Sequence, residues 1–168
     1  MELWDAYDRN GNKTGETLIR GIPVPEGKYH LVCEVLVRHV DGSYLCMKRS
    51  RDKDLFPGCY EATAGGSALQ GETPLQCVRR ELLEETGICW HEFNLIDRSV
   101  YDHRRYISYS YACTVDWDKD AITLQEGETE GYVWMDEGEF IEFVNSGQMV
   151  PSQLERLRGY FNKLGYLK

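Results

Sequence analysis

Three glutamates, Glu81, Glu84 and Glu85, stand at i, i+3 and i+4 in the run from Arg79 to Gly87. In a helix of 3.6 residues per turn they share one arc roughly 100° wide, beside the stripe made by Leu75, Val78 and Leu82. The arrangement is costly. Like charges at this spacing each destabilise a helix by roughly a few tenths of a kcal/mol, and anions near its C-terminus oppose the macrodipole by a similar amount. One reading is a solvated acidic face with Arg79 and Arg80 as ordinary helix partners. The other is a cation site, because hard carboxylate oxygens with no Cys or His among them suit Mg²⁺ or Mn²⁺, and Mg²⁺ commonly shares its coordination sphere with substrate phosphates. The chemistry would be attack of water on phosphorus. The cation lowers the pKa of the water, neutralises nonbridging oxygens and holds the leaving phosphate in line, while a nearby carboxylate accepts the proton.

A helix must carry these residues, and its signals are clear. Thr73 can cap it, Pro74 suits its first turn, and Gly87 is a natural stop. Ahead of it, Asn10-Gly11 between apolar runs predicts an opening hairpin over 2–20. His30 to Val40, the turn dipeptide Asp41-Gly42 and Ser43 to Lys48 predict a second, central hairpin. A polar loop from Arg51 to Gly58 leads to a short strand at Tyr60 to Thr63, and Gly65-Gly66 is expected to break the chain. Downstream, Ile88 to Val100 and Ile107 to Val115 read as strands, Asp116 to Glu130 as a polar loop, and Tyr132 to Trp134 as a short strand. Asp136 to Asn145 and Ser152 to Leu164 read as helices, the second started by Pro151. Strands on both sides of one helix, with helices at the end, imply a layered α/β domain.

With 168 residues and 42% hydrophobic content, one core and one domain over 1–168 are expected. A net charge of −9 argues against a nucleic-acid backbone or an anionic membrane as partner. A small phosphate-bearing substrate remains compatible, provided that Lys, Arg or a metal is placed locally; Lys48, Arg49, Arg51 and Lys53 are available for that. The six cysteines show no zinc spacing and are expected to be reduced and mostly buried. The acidic start, Met1 to Asp5, resembles no signal or transit peptide, and a cytoplasmic location is expected. Tyr106, Tyr109, Tyr111 and Trp134, at strand spacing, read as core or cross-strand residues.

Gly66, Glu72, Arg80, Glu81, Leu82, Glu84, Glu85, Gly87 and Ile88 fall at the positions of the pattern G-x5-E-x7-R-E-U-x-E-E-x-G-U, with U aliphatic. Residues 66–88 therefore resemble the Nudix box of the Nudix hydrolase family, with every fixed position matched. The resemblance implies a Nudix fold, an α/β/α sandwich around a mixed sheet, with residues 1–22 as an N-terminal hairpin extension. It implies that Glu81, Glu84 and Glu85 bind Mg²⁺ or Mn²⁺, joined by a backbone carbonyl at Gly65. Glu72 and Arg80, with Gly66 and Gly87, would orient the helix and its loop. It further places a fourth acidic ligand or base at Glu128, six residues before Trp134, with Glu126 and Glu130 as close competitors, and favours Arg49 as a substrate-binding residue. The general base stays open: Glu81, Glu128 or neither.

The implied activity is cleavage of a diphosphate linkage in a nucleoside diphosphate derivative or related small molecule, and a homodimer is the assembly that the resemblance suggests. A noncatalytic nucleotide-binding sensor is the rival reading, although such modules usually show an eroded box. The segment Asp5 to Gly15, with Arg20 and His30 after it, also resembles relatives that include isopentenyl diphosphate isomerase. That enzyme needs Cys-Gly-His where this chain has Gly65-Gly66-Ser67, which speaks against isomerase chemistry and leaves His30 as a strand residue.

Overall fold

A computed structural model describes residues 1–168 as twelve elements. A separate antiparallel hairpin, β1 (Leu3–Tyr7) and β2 (Lys13–Ile19), opens the chain. Its turn is closed by the Asp8 carboxylate, which accepts from the backbone amides of Asn10 and Asn12. The main mixed sheet contains β3 (His30–His39), β4 (Tyr44–Arg49), β5 (Tyr60–Glu61), β6 (Thr63–Ser67), β7 (Asn94–Tyr101), β8 (Tyr106–Val115) and β9 (Thr129–Met135). Three helices complete it: α1 (Pro74–Thr86), α2 (Glu137–Asn145) and α3 (Pro151–Leu164).

β3 is the axis of the sheet. One edge runs parallel to β8 over its whole length, while the other takes β6 antiparallel from Val32 to Leu36. The alternation of side chains across a strand explains why both faces are covered. Leu31, Cys33, Val35 and Val37 point into a core shared with Cys77, Val78, Leu82 and Ile88 at and beyond α1. Leu36 lies in a second core with Phe140, Phe143, Leu157 and Phe161 of α2 and α3. The result is an α/β/α sandwich around a mixed sheet, as the motif implied. No helix is long and apolar enough to cross a membrane. All six cysteines are free; Cys33, Cys46, Cys77 and Cys113 are buried.

Several local expectations need correction. Gly65-Gly66 lies inside β6 rather than breaking the chain, because β3 supplies a full ladder for it and its two bare α-carbons allow close approach. The β3–β4 hairpin keeps a single registered pair, Arg38 with Tyr44, because β4 turns away to pair with β9 along its length. The strand expected from Ile88 begins only at Asn94; Ile88 plugs the α1 core instead. Leu75 is 41% exposed, and Cys77 takes the buried place assigned to it. β9 is longer than expected, starting at Thr129, so the polar loop before it ends at Glu128.

Candidate active site

The acidic helix is fixed at both ends by residues of the motif itself. At its start Thr73 and Gln76 form a reciprocal capping box, the Gln76 side chain accepting from the Thr73 amide at 2.8 Å. At its end Gly87 adopts φ 76°, and its amide donates to Leu83 O at 2.9 Å. A β-carbon at Gly87 would lie 2.8 Å from Thr123 Oγ1, so the helix end seats directly on the loop that leads to Glu128.

Arg80 ties the preceding loop to the helix. Its Nε and Nη2 donate to the two carboxylate oxygens of Glu72 at 2.7 and 2.9 Å, and Nη2 also reaches Ser67 O at 3.2 Å. Its Nη1 donates to Glu81 at 2.6 Å and to Glu84 at 3.2 Å. Glu72 in turn accepts from the Leu69 amide at 2.8 Å. Burial opposes ionisation of Glu72, but Arg80 and that amide outweigh it and hold the carboxyl below its usual range.

Glu85 feels three other carboxylates beside this helix. Burial raises Glu85 well above the ordinary carboxylate range, Glu61, Glu81 and Glu128 push in the same direction, and only the Gly65 amide offsets them. Burial also raises Glu81 against the pull of Arg80, and raises Glu61 against the pull of Arg49. The cleft, about 400 Å³, is lined by Glu81, Glu84, Glu85, Glu128, Gly65 and Gly66 among others. Glu84 is the outermost of the three helix glutamates, with 45% of its side chain exposed.

No three ligating side chains are gathered into a ready-made metal cluster. Instead, cations of the chain hold the carboxylates: Arg49 pairs with Glu61 at 2.7 Å, Lys53 pairs with Glu128, and Arg80 with Glu81. The donor set nevertheless suits a divalent ion, being all hard oxygen and electrostatically strained without one. Gly66 provides room for the Glu81 carboxylate: a β-carbon there would lie 2.5 Å from its Oε1.

Glu128 and Arg49 are brought to the site by one irregularity. The β4–β9 register shifts between Lys48 and Arg49, a bulge that leaves Glu130 extra on β9. Glu130 is thereby drawn to Lys48 and Arg51, while Glu128 faces the cleft and its carbonyl accepts from the Ser50 amide at 2.9 Å. Glu126 does not line the cleft. Arg49 lies in a second cavity of about 220 Å³ on the far side of Gly65-Gly66, with Glu34, Glu61, Phe56, Gln153 and Arg156.

Glu34 and Glu61 are the acids that motif reasoning missed. Glu34 interrupts the apolar run of β3, and that interruption is its available signal, whereas Glu61 ends the two-residue β5 and has none. Glu34 is 2% exposed, accepts from Ser110 and Thr63, and pairs with Arg156 at 2.8 and 2.9 Å. His30 stacks on Trp4 with ring centroids 4.2 Å apart and points at no carboxylate cluster. Tyr106 and Tyr111 are core residues, and Tyr109 and Trp134 pack against that core.

The model of the NUDIX domain matches residues 28–155. The chain belongs to the Nudix hydrolase family. A Nudix hydrolase of Listeria monocytogenes is 32% identical over 151 residues, covering 90% of this chain and 89% of that protein. The isopentenyl-diphosphate Delta-isomerase of Corynebacterium diphtheriae is 25% identical, covering 94% and 92% of the two chains. Among solved structures, DR0079 of Deinococcus radiodurans superposes with TM-score 0.72 at 18% identity, covering 92% of this chain and 96% of that one. The N-terminal resemblance to the isomerase branch is thus echoed in part. Yet Gly65, Gly66 and Ser67 in β6 offer neither the thiol nor the imidazole of the isomerase run.

Proposed function

We propose that this Nudix hydrolase cleaves a diphosphate linkage in a nucleoside diphosphate derivative or related small molecule, with Mg²⁺ or Mn²⁺ as its cofactor. The observation that carries this is the gathering of Glu81, Glu84, Glu85 and Glu128 around one cleft that a helix, a strand and a loop all face, with Glu85 repelled by Glu81, Glu128 and the neighbouring Glu61. Glu81, Glu84, Glu85 and Glu128 would hold the cation with the Gly65 carbonyl, and Glu61, which lines the adjoining cavity and repels Glu85, is a further candidate. When bound, the cation would supply charge neutralisation and an activated water.

The remaining work falls to the chain. Arg49, which lines the second cavity, would donate to substrate oxygens once its carboxylate partner is engaged elsewhere. Glu72 and Arg80, with Gly66 and Gly87, hold α1 and its loop in register. Glu81 of α1 and Glu128 of the loop before β9 both line the cleft, and either would take the proton of the attacking water.

The test is a broad panel of nucleoside diphosphate derivatives incubated with Mg²⁺ or Mn²⁺, with product masses recorded. Wild type should release phosphate-containing products, whereas Glu84→Gln and Glu85→Gln should lose them. Turnover that survives both substitutions overturns the metal assignment. Tight nucleotide binding without turnover by wild type would instead favour a sensor, and comparison of Glu81→Gln with Glu128→Gln separates the two candidate bases.

A further inference from the structure

The acidic cleft is not built from the matched domain alone. Glu2, Trp4 and Arg20 of the N-terminal hairpin, which precedes the matched residues, line it opposite the glutamates of α1. Three hydrogen bonds dock the hairpin on the loop before α1. The Gln70 amide donates to Leu3 O, the Gln70 side chain donates to Thr17 Oγ1, and the Gly71 amide donates to Asp5, each at 2.8 Å. A surface appendage would not need such fixing. Glu2 is close enough to α1 to feel the charge of Arg80 as well as that of Arg20.

The other cations near the site are bound to glutamates of the α1 motif, of β5 or of the loop before β9: Arg80 to Glu72, Glu81 and Glu84, Arg49 to Glu61, and Lys53 to Glu128. Arg20 differs. Its one carboxylate partner is Glu2, at 2.8 Å, on its own hairpin, and 67% of its side chain is exposed toward solvent. Glu2 is itself held by the Trp4 indole N–H at 2.7 Å, so the pair orients the guanidinium while engaging Nη1 alone and leaving Nε and Nη2 without a partner. A planar fork with free donors at the rim of an anion-cleaving cleft matches the geometry of phosphate oxygens.

We propose that Arg20 is a substrate-binding residue of this cleft, holding the nonbridging oxygens of the substrate diphosphate that face away from the α1 glutamates. This rests on the reading of the cleft as a diphosphate hydrolase site. The hairpin is then a working wall of the active site.

The experiment measures binding of methylenediphosphonate, a diphosphate that water cannot cleave, by titration calorimetry in the presence of Mg²⁺. Wild type, Arg20→Ala, Arg20→Lys and, as a control, Arg9→Ala on the same hairpin are compared, with melting temperatures alongside. Arg9 pairs with Asp102 outside the cleft. Arg20→Ala should weaken binding by about tenfold or more, Arg20→Lys by less, and Arg9→Ala not at all, with melting temperatures unchanged because exposed pairs add little stability. Equal affinity of wild type and Arg20→Ala overturns the proposal. Failure of wild type itself to bind, together with no turnover in the substrate panel, counts against the hydrolase reading of the cleft on which the proposal stands.

Discussion

Gly66 of β6 and Glu81 of α1 meet so closely that a β-carbon on the glycine would lie 2.5 Å from the glutamate's Oε1. The strand and the helix therefore fix the position of that carboxylate jointly. Gly66→Ala should push it aside by a fraction of an ångström or more, and displacement on that scale costs a reaction of this kind about a hundredfold. Loss of kcat with retained secondary structure is the expected result. A Gly66→Ala enzyme with wild-type kcat would show that Glu81 tolerates the shift.

Glu85 presents a trade between function and stability. Burial and three neighbouring carboxylates disfavour its charge in the metal-free protein. Glu85→Gln should raise the melting temperature of metal-free protein while abolishing turnover, and should shrink the additional stabilisation that Mg²⁺ gives to wild type. Differential scanning calorimetry with and without Mg²⁺ reads both effects. A lower metal-free melting temperature for the variant would mean that Glu85 contributes structurally.

The Glu34–Arg156 pair joins the central strand to α3 in a nearly dry setting, with side chains 3% and 11% exposed. Removing one partner leaves a buried charge, so Arg156→Met should cost about 3–5 kcal/mol in urea unfolding. The double variant Glu34→Gln with Arg156→Met should recover a substantial part of that loss. If the double variant is as unstable as the sum of the two singles, the pair is not a coupled unit.

His30 predicts an acid limb in stability. Burial beneath Trp4 lowers its pKa to about 4 from the usual 6.5. The unfolded chain therefore binds its proton first as pH falls. The stability it contributes is complete above about pH 6.5 and is lost between there and pH 4, by up to roughly 3 kcal/mol. Denaturation curves at pH 7, 5.5 and 4.5 should show less acid sensitivity for His30→Gln than for wild type. Parallel curves would remove His30 as a source.

The site was legible where its residues lie close together in sequence. Thr73, Pro74 and Gly87 announce α1, and the spacing of Glu81, Glu84 and Glu85 is itself a statement about one helical arc. Glu61 and Glu34 were not legible, because the groups they meet, Arg49 and Glu85 for the one and Arg156 for the other, come from other elements and only the fold joins them. The same applies to Gly65-Gly66: a glycine pair normally signals a break, and only the ladder supplied by β3 turns it into strand. Leu75 shows the converse error, since helical periodicity names a face but not which of its first-turn residues the sheet will cover.

Gly65 and Gly66 separate the acid-lined cleft from the cavity that holds Arg49, and they do so with bare backbone. The partition carries no side chain on either side of it. One compartment owes its character to α1, whereas the other draws on Phe56 of a loop and on Gln153 and Arg156 of α3. Substitutions can thus change the lining of the second compartment while that of the first is left untouched, which makes the two compartments separable parts of one molecule.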